Sequence, residues 1–128
     1  MSLEKIRLIP IDYMLNLHGS YSKNINLPFD PIKNFCTKWQ VSELALFGSV
    51  LRDDFRPDSD IDLLVTFSPD ADWSLFDHIQ MQQELTTILQ RKVDLVSKRA
   101  IARSQNQIRR QEILSTAQVI YPTNTYVK

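Results

Sequence analysis

Residues 46–67 read LFGSVLRDDFRPDSDIDLLVTF and join two apolar runs through a polar segment. The first run stops at Gly48, one of only two glycines in the chain, and Ser49 follows it. The second run predicts a strand that carries Asp60 and Asp62 at alternate positions. Because side chains alternate along a strand, both carboxylates project from one face, and the apolar side chains between them project from the other face into the core. This acidic strand therefore decides the fold and needs a chemical explanation.

A third aspartate, Asp94, interrupts the apolar run at residues 92–97. If that run is a strand beside the first, Asp94 joins Asp60 and Asp62 on one edge of the sheet. Carboxylates on one face repel each other, and burying one unpaired costs several kcal/mol, about 3–5 kcal/mol. A divalent cation with oxygen ligands, typically Mg²⁺, makes such a group tolerable, and three carboxylates can hold two cations about 4 Å apart for phosphoryl-type displacement. Solvent exposure is the alternative for any single aspartate, but three poor strand formers in apolar runs favour a site.

The Gly48-Ser49 pair lies where the first strand must turn sharply, and the sequence predicts a short helix over residues 50–56. Glycine lets the backbone approach a ligand, amides at a helix start suit phosphate oxygens, and the Ser49 hydroxyl adds a hydrogen bond. Arg52, one turn into the predicted helix, is a candidate phosphate contact. Alone the pair is an ordinary turn signal, and the chain has neither GxxxxGK[ST] nor GxGxxG.

Alternating helical and strand patterns predict an α+β fold, with helices packed against a mixed sheet. Asp30 is predicted to cap the first helix, with Pro31 at its first position, and Ser74 to cap the next long helix. The predicted strands are residues 41–48, 60–67, 92–97 and a short one near 119–121, and a helix begins in the segment from residue 106. Residues 1–28 are predicted to be an extension of unclear structure, with a strand or arm followed by a loop at 18–24, and residues 29–128 to form one domain.

The composition limits the classes of function. With 15 basic and 15 acidic residues the chain has no general attraction to nucleic acid or to membranes. Cys36, the one cysteine, is predicted to be a buried helix residue rather than a metal ligand. Without a predicted signal peptide or membrane span, we expect a cytoplasmic protein. The basic segment 91–110 is interpreted either as a solvated face or as a rim that attracts phosphates or an acidic partner.

Gly48-Ser49, ten residues, then Asp60-Ile61-Asp62 resembles the G-S-x(10)-D-x-D signature of the minimal nucleotidyltransferases. These are small relatives of the DNA polymerase beta catalytic domain. With Asp94 downstream, the chain is similar to this family from about residue 29 to 121. Many members have Arg-Gly after the GS pair, whereas here Asp53 follows Arg52. The resemblance implies the nucleotidyltransferase, polymerase beta-like fold.

The resemblance also implies a mechanism. Two Mg²⁺ ions would be held by Asp60, Asp62 and Asp94, and the triphosphate of the substrate ATP would lie against Gly48, Ser49 and Arg52. An acceptor hydroxyl would displace pyrophosphate and receive AMP, with positioning and charge neutralisation providing most of the catalysis.

Family members often act as antitoxins that form a hetero-oligomer with a helical HEPN toxin, an RNase, and silence it by adding AMP to a tyrosine hydroxyl. The expected function is therefore protein adenylyltransfer to such a toxin, without direct binding of nucleic acid. Two alternatives remain. The acceptor could be a small molecule such as an aminoglycoside, although no acceptor-binding domain is recognised. The protein could instead be a non-catalytic antitoxin that neutralises its toxin by occlusion.

Overall fold

The computed structural model describes residues 24–123, and the predictions for residues 1–23 lie outside this range. A four-stranded sheet has the order β3-β2-β1-β4, with β1 (Val41–Phe47) and β2 (Ile61–Phe67) at its centre. β3 (Val93–Ser97) runs parallel to β2, whereas β1 pairs antiparallel with β2 and with β4 (Gln118–Tyr121). The predicted mixed sheet and its four strands are therefore confirmed.

Helices cover both faces of the sheet. On one face α1 (Phe29–Lys38) and α2 (Leu75–Leu89) bury the main core, and Cys36 is completely buried there as predicted. On the other face α3 (Lys98–Ala102) and α4 (Gln107–Thr116) form a smaller core. Its members are Ala45, Phe47, Leu64, Ile101 and Ile113. Leu64, which projects from the same face of β2 as Asp62, lies in this smaller core. The helices therefore cover that face of β2 after Asp62.

The helix starts are partly as predicted. Ser74 caps α2 through a capping box, in which its hydroxyl accepts from the amide of Asp77 and the Asp77 carboxylate accepts from the amide of Ser74. The prediction that Asp30 caps α1 is wrong, because the helix begins at Phe29 after an extended Pro28. Asp30 lies instead in the first turn, where its charge favours the positive end of the helix dipole.

The prediction of a helix over residues 50–56 is also wrong. A single 3₁₀ turn spans Gly48–Leu51, and Arg52 after it is extended, with φ −108° and ψ 164°. The residues that follow are held in a loop by Arg91, whose Nη2 donates to the carbonyls of Arg56 at 2.7 Å and Ser59 at 2.9 Å. The Arg56 carbonyl also accepts from the amide of Ser59 at 2.9 Å, so a local turn together with contacts from a distant residue replaces the predicted helix.

The outer edge of β3 is covered by polar side chains of α2 at four-residue spacing. The Leu95 amide donates to Gln82 Oε1 at 2.9 Å, the Val93 amide donates to Thr86 Oγ1 at 3.2 Å, and His78 Nε2 lies 2.7 Å from the Leu95 carbonyl oxygen. An edge strand otherwise presents unpaired backbone groups. His78 therefore helps to fix the strand that carries Asp94.

Candidate active site

Two of the three predicted carboxylates lie side by side on the sheet. Asp62 of β2 and Asp94 of β3 are register partners on parallel strands, so their side chains project from the same face of the sheet on neighbouring strands. Asp60 lies at the position before β2 and is exposed, as is Asp94, whereas Asp62 is half-buried. The structure thus brings Asp62 and Asp94 together and places Asp60 at the edge of the same site.

The surroundings of Asp62 shift the pKa of its side chain. Burial raises the pKa of its carboxyl above the ordinary value, and the charges of Asp94 and Asp60 raise it further. The guanidinium groups of Arg109 and Arg52 act in the opposite direction. The ionised form of Asp62 is therefore destabilised, and a nearby positive charge would stabilise it.

The donor set of the site suits a hard divalent cation. Within residues 24–123 no donor hydrogen-bonds to the carboxylates of Asp60, Asp62 or Asp94, so their oxygens are available. No group of three or more His, Cys, Asp and Glu side chains in that part of the chain is gathered closely enough to hold a metal ion by itself. A cation here would take further ligands from water or from substrate phosphates, which is the usual manner of Mg²⁺ binding in phosphoryl-transfer sites.

Gly48 packs its backbone against this group. It has φ +79°, and a Cβ added to it would overlap Oδ2 of Asp62. The preceding residue, Phe47, pairs with Asp62 across the β1–β2 ladder, so the strand register fixes this approach. The phosphate role predicted for Gly48 remains a prediction, but its position at the carboxylates is a structural fact.

An open cleft of about 690 Å³ extends from Asp62 along the 3₁₀ turn. Gly48, Ser49 and Arg52 line one side of it. Arg52 is not one turn into a helix as predicted, since it ends the 3₁₀ turn in an extended conformation. Its Nε donates to Asp54 Oδ1 at 3.1 Å, and its side chain is 57% exposed. The cleft has the dimensions of a small-molecule site beside an acidic sheet edge.

Sequence reasoning missed three features of this site. α4 forms the other wall of the cleft with Arg109, Glu112 and Thr116. Asn24 Nδ2 donates to the carbonyls of Val50 at 2.7 Å and Arg52 at 3.1 Å, which ties down the end of the 3₁₀ turn. Arg91 holds the loop before Asp60 through the carbonyls of Arg56 and Ser59. Of these three features, only the α4 wall could have been predicted from the sequence, because its polar residues recur at three- and four-residue spacing.

A mixed sheet with paired carboxylates on adjacent strands, next to a glycine-serine turn that opens on a cleft, is suited to binding a hard cation together with phosphate groups. A model of the nucleotidyltransferase domain family matches residues 32–119. That match covers both sides of the cleft and all three aspartates. The chain belongs to the nucleotidyltransferase domain family.

Individual relatives agree with this assignment. A protein of Methanocaldococcus jannaschii, provisionally named a protein adenylyltransferase, is 38% identical over 64 residues, which are 50% of this chain and 64% of the relative. The chain thus spans slightly less than two thirds of that relative's length. The protein adenylyltransferase MntA of Thermococcus cleftensis is 35% identical over 69 residues, 54% of this chain and 68% of that protein.

Solved structures share the fold. A structure provisionally described as a minimal nucleotidyltransferase has a TM-score of 0.53 at 32% identity and covers 67% of this chain and 82% of its own. A toxin–antitoxin complex with AMP-PNP has a TM-score of 0.58 at 22% identity and covers 74% and 73%. The α+β nucleotidyltransferase fold expected from the sequence is therefore confirmed. Within residues 24–123 no helix is both long and apolar enough to cross a membrane.

Proposed function

We propose that this protein is a Mg²⁺-dependent adenylyltransferase that transfers AMP from ATP to a tyrosine hydroxyl of a HEPN toxin and is the antitoxin for that toxin. The observation that carries the proposal is the in-register pair Asp62 and Asp94 beside the turn at Gly48. Membership of the nucleotidyltransferase family restricts the chemistry of such a pair to transfer of a nucleotidyl group. As an ATP-dependent enzyme the protein would act in the cytoplasm.

The residues of the cleft and of the adjoining sheet edge would bind different parts of the substrate complex. Asp60, Asp62 and Asp94 would hold two Mg²⁺ ions, which neutralise phosphate charge and make the attacking hydroxyl more acidic. Ser49 would donate its hydroxyl hydrogen bond to a phosphate oxygen, and the backbone of Gly48 would allow the phosphates to approach closely. Arg52 would add a phosphate contact through its guanidinium, of which only Nε donates to Asp54.

The transfer is a displacement at phosphorus. The acceptor hydroxyl oxygen forms a bond to the α-phosphorus of ATP, and the bond from that phosphorus to the oxygen that bridges to the β-phosphate breaks. Pyrophosphate leaves with the electron pair, and the hydroxyl proton passes to the carboxylate of Asp94. Little covalent chemistry is required of the protein, so alignment of the two substrates provides most of the acceleration.

Two kinds of similarity support a protein acceptor. A relative at 35% identity is named a protein adenylyltransferase, and the fold is shared with the antitoxin-containing complex that binds AMP-PNP. The surface is also suited to a protein partner, because Leu75 and Phe76 at the start of α2 are 72% and 82% exposed. Large apolar side chains grouped on a surface often mark a site of protein association.

The decisive experiment combines the purified protein with a HEPN toxin, taken from the adjacent gene where that gene encodes one, and with ATP and Mg²⁺. Intact-mass analysis should show the toxin gaining one or more AMP units, and peptide mapping should place them on tyrosine. The same mixture without Mg²⁺ shows whether transfer needs the cation. Replacement of ATP by AMP-PNP, which is altered only between the β- and γ-phosphates, shows whether the bond that breaks is the one at the α-phosphorus. Neutralisation of the toxin with no gain in mass would refute the enzymatic proposal and favour occlusion.

A further inference from the structure

Helix α4 contributes one charged wall to the cleft. Arg109, Glu112 and Thr116 lie on one face of the helix and line the cleft together with Asp62 and the 3₁₀ turn. Ile113, on the same side of α4, is buried in the smaller core, which anchors this wall to the sheet. The position of Arg109 is therefore set by the fold rather than by a free loop.

The two arginines of the cleft differ in their engagement. The guanidinium of Arg52 is paired with Asp54. The guanidinium of Arg109 is exposed and makes no hydrogen bond or ion pair with any group in residues 24–123. The charge of Arg109 lowers the pKa of the Asp62 carboxyl more than the charge of Arg52 does. Arg109 is consequently the cation of the cleft whose whole guanidinium is available to an anionic ligand.

Two Mg²⁺ ions held by Asp60, Asp62 and Asp94 do little more than balance the charge of those three carboxylates, so the triphosphate still gains from positive charge on the opposite wall. Guanidinium groups suit this task because they remain charged at every working pH and donate two parallel hydrogen bonds to phosphate oxygens. We propose that Arg109 is a nucleotide-binding residue that contacts the β- and γ-phosphates of ATP. The inference rests on the proposed function and assigns to α4 the recognition of the leaving pyrophosphate.

This placement has a consequence for ligand selectivity. When the bond from the α-phosphorus to the bridging oxygen breaks, negative charge grows on the pyrophosphate, where Arg109 stabilises it. AMP lacks the β- and γ-phosphates and does not reach the residue. Arg109 therefore discriminates triphosphates from monophosphates and does not merely attract anions.

The test compares the full-length protein with Arg109→Ala and Arg109→Lys by calorimetric titration of AMP-PNP and of AMP, both with Mg²⁺ and without a toxin. Arg109→Ala should weaken AMP-PNP binding by about 10- to 100-fold and alter AMP binding by less than about two-fold. Arg109→Lys keeps the charge but loses the paired hydrogen bonds, so its affinity for AMP-PNP should lie between that of the wild type and that of Arg109→Ala. Arg103→Ala is the matched control, because Arg103 is exposed at the end of α3 and does not line the cleft.

The outcomes separate this inference from the proposed function. Unchanged AMP-PNP affinity in Arg109→Ala, or an equal loss for AMP-PNP and AMP, overturns the role of Arg109 even if the wild type modifies a toxin. A selective loss for AMP-PNP supports that role even if no toxin is modified, and in that case the proposed function fails alone. A wild-type protein that binds no AMP-PNP would overturn both.

Discussion

The backbone of Gly48 lies directly against the carboxylate of Asp62, with no room between them for a Cβ. Gly48 also has φ +79°, in the left-handed region that residues with a side chain rarely adopt. Glycine is therefore required for two independent reasons, conformation and space. The GS half of the signature is structurally coupled to its acidic half, because a change at residue 48 must move the carboxylate.

Gly48→Ala should lose AMP transfer by about 100-fold, since displacement of a reacting group by about 1 Å has this effect. The left-handed conformation adds a loss of stability of about 1–2 kcal/mol. Initial rates of toxin modification and urea unfolding measure the two effects. Ser49→Ala is the comparison, because it removes a ligand group without adding atoms near Asp62 and should keep wild-type stability. A fully active Gly48→Ala protein would show that the carboxylate tolerates displacement.

The double variant Asp60→Ala with Asp62→Ala should abolish transfer while the protein remains folded. Both carboxylates face the cleft edge and not the main core, so their removal relieves repulsion instead of creating a cavity. Intact-mass analysis of the toxin and circular dichroism of the variant are the measurements. Added Mg²⁺ should raise the melting temperature of the wild type alone, as expected for a ligand that binds the folded state. If the double variant still transfers AMP, the metal assignment is wrong.

Asp62 should make the stability of the metal-free protein depend on pH. Burial, and then the charges of Asp94 and Asp60, raise the pKa of its carboxyl in the folded state. The folded protein thus binds this proton more tightly than the unfolded chain does. The stability that results is fully present below the pKa of the unfolded carboxyl and is lost as pH rises through the raised folded pKa.

Asp62→Asn removes this titration and keeps the shape of the side chain. In EDTA, the variant should be more stable than the wild type at neutral pH, and the difference should shrink as the pH falls below the raised pKa. Urea unfolding across this range measures it, with Asp70→Asn in an exposed loop as the control. A stability difference that is the same at every pH would contradict the assignment of the raised pKa to Asp62.

The parts of the site that follow one strand were predictable from sequence, and the parts that depend on distant contacts were not. Period-2 alternation placed Asp62 on a polar face, and the parallel neighbour of β2 brought Asp94 into register with it. The loop before Asp60 was mistaken for a helix because Arg91, more than thirty residues away, binds its carbonyls. Arg109 was one member of a basic segment, and only the packing of Ile113 shows which of these cations faces the cleft.

The polar stripe of α2 should contribute to the stability of β3. Gln82→Ala leaves the half-buried amide of Leu95 without its acceptor, which costs about 1–3 kcal/mol. Gln83→Ala is the matched control, since Gln83 is exposed and its side chain makes no hydrogen bond within residues 24–123. Urea unfolding gives the free energies, and hydrogen exchange at Leu95 should accelerate only in Gln82→Ala. Equal effects of the two substitutions would mean that helix propensity, not the edge of β3, determines the loss.

Arg91 should act as a positioning residue for the loop that leads to Asp60. Its guanidinium donates to the carbonyls of Arg56 and Ser59 and lies 4.4 Å from the centre of the Phe55 ring. Arg91→Ala removes all three contacts and should lower the free energy of unfolding by about 1–2 kcal/mol. Because Asp60 follows this loop directly, transfer of AMP should fall by more than the loss of stability explains at a temperature where the variant is fully folded.

Lys92→Ala provides the control for Arg91→Ala, because Lys92 is the next cation in the sequence, is exposed, and binds Ile61 only through its backbone carbonyl. Limited proteolysis should cleave the loop at residues 55–59 faster in Arg91→Ala than in Lys92→Ala or the wild type. The Mg²⁺ concentration for half-maximal transfer should also rise in Arg91→Ala, because a displaced Asp60 is a poorer ligand, and a purely structural role would not shift it. Unchanged Mg²⁺ dependence with normal proteolysis would limit Arg91 to an ordinary surface contact.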